Sequence, residues 1–342
     1  MRKKRDILVL VPDVTARGGI TNYYQILKDH FTYDVSYFKR GARQWPVREG
    51  WFYEMIRAVK DLVKFFLRLR TGNYVLVQTN TSLGYLALLR DGMFILISKL
   101  FKVKTVVFFR GLHPEFQNII QQKFLFIFRL FFLSNCAIVL SSQFKNKMLS
   151  WGYKKPIYLE TTVVEEKLIE SVDCDSIRKK FVSPLNRINL LFLARIEVAK
   201  GIYETIDTYR LLKKKYPQLE LSIAGDGFEL ENIKDYIENK SVSDVKLYGF
   251  VSGDSKRNLY KSAHIYIFPS YTEGMPNSLL EAMAFGLPII TRPVGGITDF
   301  FRDGENGFMT ETKDPNIMAK LTEQLLADAK LMEKIALHNH YY

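Results

Sequence analysis

The chain is punctuated by short apolar runs that do not alternate with polar residues. In the first half they are DILVLVP (6–12), DVSYF (34–38), YVLVQT (74–79), KTVVFF (104–109), CAIVLS (136–141) and PIYLE (156–160). A strand wetted on one face alternates, whereas an unbroken apolar run implies cover on both faces, as in a parallel sheet. Helical patterns fall between the runs, at 20–30, 51–70, 85–101, 115–133 and 142–150. Parallel neighbours need a crossover connection, so this alternation predicts a doubly wound α/β sheet. The pattern then restarts with INLLFLAR (188–195), LELSIAG (219–225), VKLYGF (245–250), HIYIFPS (264–270) and LPIITRP (287–293). Helices are expected between them at 202–215, 228–238, 254–262 and 276–285, with a last one at 315–338. Two Rossmann-like halves are therefore expected.

A chain of 342 residues is long for one core. The expected division is a first domain at 1–165, a linker at 166–186 and a second domain at 187–342. The connection, roughly 161–186, is more polar and carries the acidic run VVEEKLIESVDCD. The last helix is expected to pack back on the first domain. Two cysteines, Cys136 and Cys174, are too few for a disulfide framework, so a reducing, cytoplasmic setting is expected. Met1 to Arg5 is basic, but DILVLVPD follows, which is too short for a signal-peptide core and reads as the first strand. FLFIFRLFFL (124–133) is interrupted by Arg129 and FILISKLF (94–101) is shorter still. Neither reaches the run of about 20 apolar residues that a membrane span needs.

The net charge of +13 is one-sided. Residues 1–160 hold 26 Lys and Arg against 10 Asp and Glu, while residues 161–342 hold 23 against 26. Such a field points to an anionic partner for the first half: a membrane surface, a phosphorylated substrate or nucleic acid. No base-stacking or groove-reading motif accompanies the charge, so nucleic acid is not expected as a partner. The helical stretch MIRAVKDLVKFFLRLR (55–70) fits a helix lying on an anionic membrane, and equally a packed helix with a solvated basic face.

The stretch EGMPNSLLEAM (273–283) is unusual for a plain core helix. It follows the strand HIYIFPS, and Pro276 suits a helix start. Gly286 and Pro288 end the helix. The helix N-terminus is thus expected at the C-terminal edge of a parallel sheet, where open α/β folds bind ligands. N–H groups near Met275, Asn277 and Ser278, with the helix dipole, make an anion site, and Gly274 allows close backbone approach. Glu273 and Glu281 would repel a phosphate in contact with them. They make sense as acceptors for hydroxyl groups on either side of it. A sugar, a diphosphate and a nucleoside ribose have that layout.

The segment FPSYTEGMPNSLLEAMAFGLPIITRPVGGITDFFRDGENGF (268–308) resembles the donor-site signature of glycosyltransferase family 4, the group 1 retaining enzymes of the GT-B fold. LARIEVAKGI (193–202), IAGDG (223–227) and LYGFV (247–251) resemble the other blocks of that family in the same order. The resemblance covers about 188–310 well and the first half in outline. It implies two doubly wound domains facing across a cleft, with Arg195 and Lys200 on the donor pyrophosphate. It also implies Glu273 on the transferred sugar and Glu281 on the ribose. Gly225, Asp226 and Gly227, with Phe250 and Val251, would line the base pocket, although GDG and GFV serve equally well as tight turns. Met275, Pro276 and Leu280 complete the donor-side candidates. In TARGGITNYY (15–24) the Gly18–Gly19 pair would face the donor phosphates.

Two departures from the family stand out. Arg110–Gly111 occupies the place after strand KTVVFF where the family often has a His, and His113 follows two residues later. Arg110 would serve a phosphate or the acceptor, and His113 would donate to a sugar hydroxyl. Thr298–Asp299 stands where Pro–Glu is common. DCD (173–175) imitates a metal motif but follows no strand, so Asp175 is expected to cap the helix SIRKKF, and no metal or other cofactor is expected. The implied reaction moves a sugar from a nucleotide diphosphate to an acceptor hydroxyl with retention. The implied acceptor is a lipid-linked glycan of bacterial surface polysaccharide, at the inner membrane face. The alternatives are a same-fold epimerase or phosphorylase and a non-catalytic membrane or nucleic-acid binder.

Overall fold

A computed structural model describes residues 6–13, 18–41, 50–81, 84–111, 114–182 and 186–342. The chain divides into two compact units. The first is Met1–Val163, with Glu273–Met275 grouping with it, and the second is Val164–Thr272 with Pro276–Tyr342.

In the first unit the order is β1 (Asp6–Val11), α1 (Gly19–Leu27), β2 (Val35–Lys39), α2 (Trp51–Thr71), β3 (Tyr74–Thr81), α3 (Tyr85–Leu100) and β4 (Lys104–Phe109). Then come α4 (Pro114–Ile119), α5 (Leu125–Phe128), β5 (Cys136–Val139), α6 (Ser142–Ser150) and β6 (Ile157–Leu159). The strands form one parallel sheet in the order β2-β1-β3-β4-β5-β6. The single helix expected at 115–133 is broken. A π-helical turn (Ile120–Phe124) separates α4 from α5, and a 3₁₀ turn (Arg129–Leu133) follows. Aromatic packing accounts for this irregular path, since Phe128 and Phe131 are both fully buried against Phe109.

The second unit runs α7 (Glu166–Ile169), α8 (Cys174–Lys180), β7 (Ile188–Leu193), α9 (Ile202–Lys213), β8 (Leu219–Ala224), α10 (Leu230–Asn239), β9 (Val245–Leu247) and α11 (Gly253–Ser262). It continues with β10 (Ile265–Phe268), α12 (Asn277–Ala284), β11 (Ile289–Thr291), α13 (Ile297–Phe300), β12 (Gly307–Met309), α14 (Pro315–Leu326) and α15 (Ala329–Tyr341). Its parallel sheet has the order β12-β11-β10-β7-β8-β9. All four β10 residues are buried, as the unbroken apolar run predicts.

Three details differ from the sequence reading. The expected linker belongs to the second unit: Leu168 of α7 and Ile177 of α8 are buried in its core. The cap of α8 is Asp173, not Asp175. Asp173 and Ser176 form a reciprocal capping box, and Asp175 pairs with Arg178 on the surface. The stretch 315–338 is two helices, because Asp328 caps a new one by accepting from the Leu331 amide. Met332, Ile335 and Ala336 of α15 lie in the core of the second unit. Asn339 fastens this helix by donating to the Leu287 and Asn306 carbonyls and accepting from the Asn306 side chain.

Lys180 of α8 donates to the Tyr260 carbonyl at 3.4 Å, and burial pulls its pKa down from 10.5 to about 7. Burial, then the charge of Lys180, lowers His264 from 6.5 to about 4. Between pH 7 and 10.5 the folded chain holds fewer protons at Lys180 than the unfolded chain does, so stability rises with pH there. His264 acts in the same direction between pH 4 and 6.5. Replacing Lys180→Met is expected to raise Tm at neutral pH by roughly 3–6 °C and to flatten the alkaline rise. Differential scanning calorimetry across pH checks both.

Candidate active site

In the second sheet β7 is flanked by β10 on one side and β8 on the other. The connections leaving β7 and β10 therefore diverge, which is where doubly wound sheets bind ligands. Most donor-side candidates lie in the loops at this edge. The loop after β7 carries Arg195 and a 3₁₀ turn (Val198–Lys200), and Gly201 then starts α9 with φ +75°. A Cβ on Gly201 would lie 2.4 Å from the Pro269 carbonyl oxygen, so glycine lets this loop nest on the one that follows β10. The Tyr271 amide binds the Ala199 carbonyl at 2.9 Å, tying the two loops together. The Lys200 ammonium lies 6.0 Å from the Phe268 ring centre. Arg195 is exposed and pairs with Glu197 at 2.7 Å.

The loop after β8 closes on the same edge. Gly225 has φ +144°, and a Cβ there would strike the Ala194 carbonyl oxygen at 1.7 Å. The Gly225 amide binds the Gly249 carbonyl at 2.7 Å, while the Asp226 carbonyl accepts from Ile196 at 3.0 Å. The Asp226 carboxylate accepts from the Gly227 amide at 2.8 Å. Phe250 is exposed, and Val251 packs against the core. The turn at 225–227 is thus required by backbone packing, whereas at 249–251 it is the φ of +64° at Gly249 that favours glycine, since a Cβ there would meet nothing within 4 Å.

Pro276 is the N-cap residue of α12, with φ −78° and ψ 115°, and its carbonyl accepts from Leu279 at 3.2 Å. The Asn277 and Ser278 amides belong to the first turn, whose N–H groups have no acceptor within the helix. Ser278 Oγ lies 2.8 Å from the Tyr266 hydroxyl, and Leu280 packs on the core. At the other end Leu287 and Gly286 return their amides to Ala282 and Met283, a Schellman ending with Gly286 at φ +65°.

Glu281 is buried, and both its oxygens are engaged. Lys256 of α11 donates to Oε1 at 2.7 Å, and Tyr260 donates to Oε2 at 2.9 Å. Burial and then the Glu281 charge push the Tyr260 phenol well above its ordinary pKa. Each carboxylate oxygen keeps one further lone pair for a ligand hydroxyl. Lys256 and Tyr260 escaped the sequence reading. Their only trace was the i, i+4 spacing on one helix.

In the first unit Gly18 precedes α1 and Gly19 opens it, and a Cβ on either would meet nothing within 4 Å. Arg110 follows β4, and its Nε donates to Asn80 Oδ1 at 2.9 Å. Its guanidinium lies 3.5 Å from the Phe108 ring centre and 4.0 Å from that of Tyr23. Tyr24 also donates to Asn80 Oδ1, and Asn80 donates to the Leu10 carbonyl. Burial lowers the Arg110 pKa. The aromatic pair Tyr23–Tyr24 was visible in the sequence, but its role as a cradle for Arg110 was not. Glu273 and Gly274 lie in the loop between β10 and α12, and Glu273 is half-buried. His113 lies outside the described residues.

The ion pair of Glu281 yields a test. Removing one partner of a buried pair costs about 3–5 kcal/mol, because the other charge is left uncompensated. Lys256→Met is therefore expected to lower Tm clearly, and the double variant Lys256→Met/Glu281→Gln to recover most of the loss. Thermal unfolding monitored by circular dichroism reads both.

Residues 173–338 match the family described as glycosyl transferases group 1. The capsular polysaccharide biosynthesis glycosyltransferase CapM of Staphylococcus aureus is 31% identical over 49% of this chain and 44% of its own. The chain spans about half the length of the curated relatives it matches. Among solved structures, sucrose-phosphate synthase from Thermosynechococcus elongatus superposes with a TM-score of 0.75 at 18% identity, over 99% of this chain and 94% of that one. Anabaena HepE in complex with UDP-glucose gives 0.73 at 17%, over 98% and 93%. Likeness at this identity speaks for the fold, which is GT-B, with two parallel six-stranded sheets in one chain. The matched segment is just under half of the chain and lies in the second unit apart from Glu273–Met275, so that unit is similar to the group 1 glycosyl transferases.

Proposed function

We propose that the chain is a retaining glycosyltransferase that moves a hexose-type sugar from a nucleotide diphosphate to an acceptor hydroxyl. The observation that carries this reading is the convergence at the β7/β10 edge. The α12 N-terminus, the Lys200 loop and the close-packed 225–227 turn meet there. HepE is described with UDP-glucose and CapM with capsular polysaccharide, which supports a nucleotide-sugar donor and a surface-glycan product. The acceptor is read as a lipid-linked glycan reached by peripheral contact with an anionic membrane, in keeping with the basic first half.

In this mechanism the bond from the anomeric carbon to the donor phosphate breaks, and a bond to the acceptor oxygen forms on the same face. The acceptor proton passes to the leaving phosphate oxygen, giving a glycoside and a nucleoside diphosphate. Lys200, Arg195 and the Asn277 and Ser278 amides stabilise charge on the departing diphosphate. Glu281, held by Lys256 and Tyr260, accepts from the ribose hydroxyls, and Glu273 accepts from the transferred sugar. Arg110 binds a phosphate or the acceptor. Cations and the helix dipole take the place of a metal on the diphosphate, so transfer is expected to survive chelation by EDTA.

Lys200→Ala and Glu273→Ala are each expected to lower kcat/KM by about 10²–10³ with the correct donor, as loss of a positioned electrostatic group does. Full transfer activity in either variant contradicts the assignment. Proton NMR of the fresh product is expected to show the anomeric configuration of the donor, and the opposite configuration would exclude retention.

A further inference from the structure

Helix α2 is apolar on two faces, and only one of them is used inside the fold. Phe65 and Leu69 point into the core of the first unit, where Phe65 packs on Phe38 and Phe94. Asp61 is buried on the same side and accepts from the Gly41 amide at 2.9 Å. On the outer side Phe52, Met55, Val59, Val63, Phe66 and Leu67 recur at helical spacing, and each is 38–58% exposed. This stripe runs for about 22 Å at 1.5 Å per residue. Lys60, Lys64, Arg68 and Arg70 are exposed alongside it. The surface continues onto the end of α3, where Phe101 meets Phe66 edge-on at 5.1 Å and Leu100 is 69% exposed beside Lys99 and Lys102.

We infer that the outer face of α2 lies in the headgroup region of an anionic membrane. The helix has 21 residues, enough length to span, but its charges prevent that, and no helix of the described residues is long and apolar enough to cross a membrane. An apolar stripe flanked by lysine and arginine is the pattern of a helix that lies in the interface. Charge complementarity selects this occupant over a second copy of the chain. A two-fold contact would set the same face against itself, basic residues against basic residues. The acids of α2 are Glu54 and the buried Asp61, which offer no counter-charge there. The inference deepens the membrane contact of the proposed function and rests on it for the acceptor, but not for the binding itself.

The full chain is to be sedimented with phosphatidylcholine vesicles with and without phosphatidylglycerol. It is expected to bind the anionic vesicles and to bind the neutral ones far less. Lys60→Glu/Lys64→Glu is expected to weaken binding about tenfold or more, since each basic residue near such a surface contributes about one kcal/mol. Val59→Asp/Val63→Asp is expected to abolish it. Both pairs are exposed, so Tm is expected to stay within about 1–2 °C of the parent. Failure to bind anionic vesicles, or undiminished binding by both double variants, overturns the inference. So does a dimer in gel filtration that Val59→Asp/Val63→Asp converts to monomer while vesicle binding is unchanged. Transfer to a water-soluble acceptor separates the two claims: activity without vesicle binding sinks this inference alone, and binding without activity sinks the transferase reading alone.

Discussion

The functional half of the molecule depends on one constraint of parallel sheets. Neighbouring parallel strands cannot be joined by a tight turn, so each strand must leave the sheet and return through a helix. In the second unit the chain winds outward from β7 to β9, then crosses back so that β10 pairs with the other side of β7. The loops that leave β7 and β10 are thereby neighbours in space although Leu193 and Pro269 are far apart in sequence. That single reversal brings the Lys200 loop beside the segment that leads into α12.

Glycines make the convergence tight. Gly201, Gly225 and Gly227 each sit where a Cβ would lie 2.4 Å or less from a backbone oxygen. The loops can therefore pack backbone to backbone, leaving side chains such as Lys200 and the helix start of α12 at the edge. A second element of order comes from Glu281. Its buried carboxylate joins α12 to α11 through Lys256 and Tyr260, so the helix whose N-terminus would meet a phosphate is anchored one turn further in. The glutamate is thus both a structural tie and a candidate ligand group, and the two roles are compatible because each oxygen accepts more than one hydrogen bond.

Much of this was legible in the sequence, and the reasons are physical. Unbroken apolar runs such as HIYIF report a strand covered on both faces, and β10 is fully buried. The loop composition around Gly274–Pro276 marks a helix start after a strand, and α12 begins at Asn277. Tertiary contacts were not legible. VVEEKLIESVDCD looks like a linker because it is acidic, yet Leu168 and Ile177 are buried in the core of the second unit, with Ile169 and Val172 packed against it. β12 escaped because its three residues, Gly307–Met309, follow a turn and have no run of their own. Lys256 and Arg110 could not be ranked by sequence. What distinguishes them is a buried partner 25 residues away and a cradle of rings. The outer stripe of α2 was ambiguous for a similar reason, since periodicity alone cannot tell which of two apolar faces the fold covers.

On the proposed reading, the β7/β10 edge of the second unit holds the nucleotide sugar. Hydrogen–deuterium exchange of the full chain, with and without UDP-glucose, GDP- or ADP-sugars, tests it most directly. One donor is expected to slow exchange in peptides covering 195–201, 225–229, 249–251 and 276–281, leaving the outer face of α2 unchanged. Slowed exchange that spares 195–201 and 276–281, or none with any of these donors, would contradict the claim.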